Sequence, residues 1–198
     1  QNPHAAQGQA PPLDSTLEGD FDMAMPPFQV PDRFNAASFF VDRHVAEGRG
    51  GDVAFFHEEG ELSFAGLQEL VNRAGNALRG LGVEQEHRVL CLLLVSPAFL
   101  ATFWGAIKVG AVPIPTNTMM PAQDYLYFLN DSRARVAVIS EPLLAEAGPV
   151  LSKARYLKHV VVAGKPGAGQ IGFDGWLAKA SSSLEAEDTS RDDACFWL

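Results

Sequence analysis

The residues whose types and spacing most resemble a chemical motif are Gly167-Ala168-Gly169-Gln170-Ile171-Gly172, which satisfy G-x-G-x-x-G just after an apolar run at 159–163. In a dinucleotide-binding unit such glycines form the turn between strand and helix, so that backbone N–H groups and the helix N-terminus meet a pyrophosphate. Here Lys165-Pro166 intervenes and no later strand ends in an acidic residue, so a surface loop is expected, with a nicotinamide-binding domain as the weaker alternative. The position where a cradle would belong, Ser96-Pro97-Ala98-Phe99, has no glycine, and no G-x-x-x-x-G-K-[ST] loop occurs. His4, His44, His57, His87 and His159 are scattered, and Cys91 and Cys195 lack metal-ligand spacing. Residue chemistry alone therefore writes no nucleophile–base pair and no metal site.

The elements that would position any site are easier to read. Residues 1–31 are rich in Gln, Pro, Asp and Ala without a sustained period, which predicts a mobile leader. Asn35 is placed to cap a helix carrying Phe39, Phe40 and Val45, ended by Gly48 and Gly50-Gly51. Residues 53–56 and 62–64 read as a hairpin about Glu58-Glu59-Gly60. From residue 65 to 81, Leu67, Leu70, Val71, Ala74, Leu78 and Leu81 recur every three or four positions, which predicts a helix closed by Gly82. Strands at 88–95, 111–115, 135–139 and 159–163 then alternate with helices at 97–109, 121–132 and 141–151. Pro97 suits the first position of its helix, because its missing N–H would have had no partner there. Tyr125, Phe128 and Leu129 share a helix face, so Tyr125 and Tyr127 are expected to serve in core and rim packing. A loop at 164–172, a short helix at 173–180 and a polar linker at 181–193 complete the chain. Strands this apolar, separated by helix-length segments, predict an α/β fold: a parallel sheet with helices on both faces and right-handed crossovers.

Composition sets the class of partner. The chain has 198 residues, 47% hydrophobic and 20% charged, with a net charge of -9. So acidic a chain lacks the basic face that nucleic acid or an anionic membrane would require, and a small-molecule partner is expected. The apolar run at 89–95 is far below the ~20 residues of a membrane span, and residues 1–12 carry no secretory apolar core. A cytoplasmic location is expected, with a homodimer left open.

Two stretches carry a family resemblance. Leu62-Ser63-Phe64-Ala65-Gly66-Leu67 resembles the first core motif of adenylate-forming enzymes, and residues 107–115, Ile-Lys-Val-Gly-Ala-Val-Pro-Ile-Pro, resemble the second. Within that superfamily, Arg33-Phe34-Asn35-Ala36-Ala37, residues 72–78, Phe103-Trp104-Gly105-Ala106, residues 131–135 and residues 190–198 look like benzoate-CoA ligases. The motif residues Leu62, Ser63, Phe64, Leu67, Lys108, Gly110, Pro113 and Pro115 are assigned to architecture: Gly110 for a tight helix-to-strand turn, and the two prolines to stiffen a strand end.

The resemblance implies an enzyme that joins an aromatic carboxylate to CoA through an acyl-adenylate, with ATP, Mg²⁺ and CoA as cofactors. It also implies that Phe196-Trp197-Leu198 stands just before a Ser/Thr/Gly-rich ATP loop. The 198 residues are accordingly expected to be an inactive N-terminal portion: a leader at 1–31, an α/β subdomain at 32–180, and a linker with a strand at 181–198. No catalytic residue is assigned within them. In related aryl-CoA ligases the loop after the second motif lies near the CoA nucleotide; the residues at that place are Asn117 and Thr118, with Met119 where a basic residue could meet a phosphate. The alternatives are a non-catalytic interaction module derived from a ligase and a synthetase for a non-aromatic acid. NAD and ATP titrations separate these from the nicotinamide reading.

Overall fold

Strand, helix and turn chemistry assemble the expected layers. The computed structural model describes residues 29–198, so the expected leader lies almost wholly outside the described residues. Residues 31–198 form one compact unit. In chain order it contains a π-helical turn Ser38–Asp42 running into α1 (Arg43–Ala46), the hairpin β1 (Val53–His57) and β2 (Gly60–Ser63), and α2 (Phe64–Gly80). There follow β3 (Arg88–Leu92), α3 (Pro97–Lys108), β4 (Val112–Pro115), α4 (Ala122–Asp131) and β5 (Val136–Ser140). A 3₁₀ turn Glu141–Leu143, α5 (Leu144–Leu151), β6 (His159–Ala163), β7 (Ile171–Gly172) and α6 (Phe173–Ala178) complete the order.

Strands β3 to β7 form a five-stranded sheet in the order β4-β3-β5-β6-β7, every pairing parallel, while β1 and β2 make a separate antiparallel pair. Side chains alternate across a strand. Val89, Cys91, Val136, Val138 and Val161 therefore face α2, α3 and α6 in one apolar cluster. Leu90, Leu92, Ala137 and Ile139 face α4 and α5 in the other. This division follows from chirality. The chain steps from β3 outward to β4 and then back across to β5, and a fixed right-handed crossover requires the two connecting helices to lie on opposite faces.

Local chemistry sets the element ends. Ser63 caps α2 by accepting Gly66 N–H at 3.2 Å, so Phe64 opens the helix and is not a hairpin residue as expected. Ser96 accepts Phe99 N–H at 3.4 Å, with Pro97 first in α3. After α3, Gly110 adopts φ +73° while Ala111 N–H reaches back to the Ala106 carbonyl at 2.9 Å, the left-handed closure that glycine favours.

Three further expectations needed correction. Strand β3 ends at Leu92 and not at Val95, because Leu94 N–H turns to the Ser140 hydroxyl at 3.0 Å and Val95 is 83% exposed. The loop at 164–172 contains β7, whose two residues are too few to show a period. The helix after Asn35 contains a π turn in which Arg43 N–H bonds the Ser38 carbonyl.

Candidate functional site

In an open parallel sheet, ligands gather outside the carboxyl ends of the strands, where the strand order reverses. Here that place lies between β3 and β5, which the Leu94–Ser140 hydrogen bond spans. A cleft of ≈ 860 Å³ opens there, walled by the β3–α3 connection, the β5 and β6 ends, α2, α6 and the hairpin turn. Leu70, Leu94, Val95 and Phe173 make it apolar; Glu58, Glu59 and Asp174 stand at its walls. Its guanidinium, Arg73, is already bound to Glu69 at 2.9 Å and to the Ala180 carbonyl at 2.7 Å. Apolar walls with acidic groups do not suit a polyphosphate, and the lining holds no nucleophile beside a free base.

Asn117 and Thr118 do not line that cleft. They follow β4 at its carboxyl end, in a short loop clipped by a buried tyrosine. The Tyr125 hydroxyl donates to the Asn117 carbonyl at 3.1 Å and accepts Met120 N–H at 3.2 Å. The Asn117 side-chain oxygen accepts Met119 N–H at 2.9 Å, and the Met119 side chain stands in solvent at 86% exposure. The loop is thus held in shape but presents no cation.

Of the motif residues, Ser63 caps α2 and Leu67 is buried, with Leu62 packed against the same small cluster. The Phe64 ring stacks on His44 at 3.9 Å. Burial holds the His44 imidazole below its ordinary pKa, and Arg49 and Arg43 push it further the same way. Pro113 lies buried in the edge strand β4, with Pro115 at its end, where their missing N–H groups leave no neighbouring strand unpaired.

Lys108 is 2% exposed, and its ammonium meets Asp42 Oδ1 at 2.7 Å and Asn72 Oδ1 at 2.6 Å. Asp42 also accepts from Gln68 Nε2 at 2.9 Å. A buried ammonium needs such partners, because desolvation without them costs several kcal/mol. The π turn supplies one of them, bringing Asp42 to α3 while Val41 stays in the core. Sequence reasoning missed Asp42 and Asn72. The available signal was Lys108 itself, a charge inside the apolar run Ala106-Ile107-Lys108-Val109.

The glycine-rich stretch spends its donor internally: Gly167 N–H bonds Gln170 Oε1 at 2.7 Å, and Gln170 N–H returns to the Gly167 carbonyl at 3.2 Å. The helix behind it, α6, has only six residues. Neither feature favours a dinucleotide. Among the described residues no three His, Cys, Asp or Glu side chains converge as a metal would need, and no helix is long and apolar enough to cross a membrane. Burial pushes the Cys91 thiol up to about 12, so it is unreactive at neutral pH.

Comparison with known proteins bears on the same elements. A family model described as AMP-binding enzyme matches residues 42–198. A benzoate–CoA ligase of Thauera aromatica is 44% identical over 174 residues, covering 87% of this chain and 33% of the relative. A 4-hydroxybenzoate–CoA/benzoate–CoA ligase of Rhodopseudomonas palustris is 38% identical over 164 residues, covering 83% and 30%. The crystal structure of an anthranilate CoA ligase in complex with anthranoyl-AMP superposes with a TM-score of 0.81 at 31% identity, covering 84% of this chain and 32% of that one. The chain thus spans about a third of the length of the curated relatives it matches.

Proposed function

Since the chain belongs to the AMP-binding enzyme family, we propose that it forms an N-terminal portion of an aryl-CoA ligase acting on benzoate or a close analogue. The observation that carries this reading is the 44% identity to a benzoate–CoA ligase across 87% of the chain. The overall reaction joins ATP, an aromatic carboxylate and CoA to give aryl-CoA, AMP and pyrophosphate, through an acyl-adenylate that the CoA sulfur attacks. Two anions meet in the first half, so donors and cations must be fixed around the phosphates in advance.

The described residues do not fit those groups. The Gly167 loop satisfies itself, no acidic cluster is set for Mg²⁺, and the Asn117–Thr118 loop has no cation for a CoA phosphate. Because the described residues offer no fit and the chain spans about a third of its ligase relatives, we assign phosphate and metal binding to the part of such a ligase outside 1–198, treat 32–180 as a scaffold subdomain, and place the CoA approach beside Asn117 and Thr118. A cytoplasmic setting accords with two free cysteines and a net charge of -9. Sedimentation decides between monomer and homodimer.

The test is benzoate-dependent pyrophosphate exchange, run on residues 1–198 and on a longer protein that contains them. The longer protein is expected to exchange and the 198 residues are not, because loss of even one oxyanion donor costs ~100-fold or more. A longer protein that ignores benzoate but activates a fatty acid would keep the family and overturn the aromatic substrate. Exchange by residues 1–198 alone would overturn the assignment of the phosphate site.

A further inference from the structure

The segment after α6, expected as a polar linker, forms no helix or strand but lies along α2, where a row of side chains grips its backbone. Asn72 Nδ2 donates to the Ser182 carbonyl at 2.8 Å, Asn76 Nδ2 to the Ser181 and Ser183 carbonyls at 2.8 Å each, and Arg73 to the Ala180 carbonyl at 2.7 Å. One turn on, Arg79 pairs with Glu187 at 2.8 Å. These donors stand at intervals of three and four on α2 and so share one helix edge. The approach is close enough that a Cβ on Gly75 would collide with Leu184.

Beyond that row the segment is tied to the end of α3 and to the start of the described chain. Glu187 N–H donates to the Lys108 carbonyl at 2.8 Å, and Asn35 Nδ2 bonds the Glu187 carbonyl at 3.2 Å. Thr189 and Phe34 exchange two hydrogen bonds, and Arg33 pairs with Asp188. The chain then reaches the free edge of β4, where Trp197 N–H donates to the Pro113 carbonyl at 3.1 Å. There Phe196 packs on Phe103 at 5.6 Å, and the Arg88 guanidinium lies 5.5 Å from the Trp197 ring.

We propose that Asn72 and Asn76 are positioning residues: they set the register of residues 180–189 along α2 and thereby fix Phe196 and Trp197 against β4, the strand that leads into the Asn117–Thr118 loop. Residues 180–189, irregular in structure and with Leu184 as their one large apolar side chain, have no apolar period to choose a register. A one-residue slip would move every carbonyl away from its donor. Two amides a helical turn apart, each fixed by α2, favour one alignment, and in that alignment Leu184 fills the space over Gly75. The consequence for Trp197 stands on the structure alone; the consequence for catalysis rests on the ligase reading above.

The test uses residues 1–198 with ¹⁵N-labelled indoles, whose three signals belong to Trp104, Trp176 and Trp197. Asn76→Ala is expected to move the Trp197 signal, leave Trp104 and Trp176 in place, and speed protease cleavage between Ser181 and Asp193 by about tenfold. Asn76→Gln, which keeps an amide donor, is expected to restore part of both. If Asn76→Ala fails to fold, Arg79→Ala serves instead, since its ion pair with Glu187 lies at the surface. A folded variant with faster cleavage and an unmoved Trp197 would overturn the proposal, as would unchanged cleavage. In a longer, active protein the same variant is expected to lower kcat for pyrophosphate exchange with KM for benzoate unchanged; an unchanged kcat would overturn the catalytic consequence. A longer wild-type protein with no activity would count against the ligase reading, and the Trp197 signal would still decide whether residues 180–189 act as a strap on α2.

Discussion

Helices α2 and α3 cross where two glycines meet, and this crossing gives a sharp test of the packing. A Cβ added at Gly105 would lie 2.9 Å from Gly75 N, 2.9 Å from Ala74 Cβ and 3.0 Å from the Val71 carbonyl oxygen. Two of these three neighbours are backbone, which has no rotamer to escape into, so the helices themselves must separate. Overpacking of this kind costs about 1–3 kcal/mol, and a contact with backbone belongs at the upper end. Replacing glycine inside a helix returns about 1 kcal/mol of propensity. The net loss for Gly105→Ala is then about 2 kcal/mol, a fall in Tm of about 4–8 °C for a domain of this size. Gly80, at the end of α2, is the control: an added Cβ there meets nothing within 4 Å. Gly80→Ala should be neutral or raise Tm slightly through propensity alone. The assay is thermal unfolding by circular dichroism, with urea midpoints as a check. A Gly105→Ala variant that melts at or above the wild type would refute the close crossing.

Two further predictions concern charge. Lys108→Met should cost about 3 kcal/mol, because Asp42 and Asn72 lose the ammonium they surround; the double variant Asp42→Asn/Lys108→Met should recover much of it, and additive losses in urea unfolding would show the pair is not coupled. His87 is held below its ordinary value near 6.5, first by burial and then by Arg135, and its Nδ1 accepts Glu84 N–H at 3.0 Å, which only the unprotonated nitrogen can do. The unfolded chain therefore binds a proton at a higher pH than the folded one. The contribution is intact above that ordinary value and shrinks as pH falls beneath it. Tm measured between pH 7.5 and 5.5 should decline on the acid side, and His87→Gln should flatten the decline; an unchanged slope would remove His87 as its source.

Particular elements show how far the sequence reached. Val89, Leu90, Cys91 and Leu92 are all apolar because each strand of a doubly covered parallel sheet buries both faces, so composition along the strand was enough to expect the layers. The spacing of Leu67, Val71, Ala74 and Leu78 indicated α2 and its buried face, and Gly110 marked the turn into β4. These are local matters: periodicity, turn chemistry and chirality act over one helical turn or one strand, and the residues that express them are neighbours in sequence.

The candidate site was less legible for the opposite reason. The loop of Asn117 and Thr118 could be placed at a strand end, but the cleft between β3 and β5 draws its walls from six segments between His57 and Ala178, and no period announces their meeting. The partners of Lys108 lie 66 and 36 residues away, and the donors that hold Ser182 and Ser183 lie 110 and 107 away. Nothing in a Ser- and Glu-rich stretch says which helix edge will receive it, because a hydrogen-bonding side chain is equally satisfied by water until packing removes the water. The sequence by itself determined the alternation of strands and helices, the two covered faces and the turns between them. Only the tertiary structure decided which polar groups would be buried together, the register of the strap on α2, and the end of β3 at Leu92, since each depends on desolvation by parts of the chain far removed in sequence.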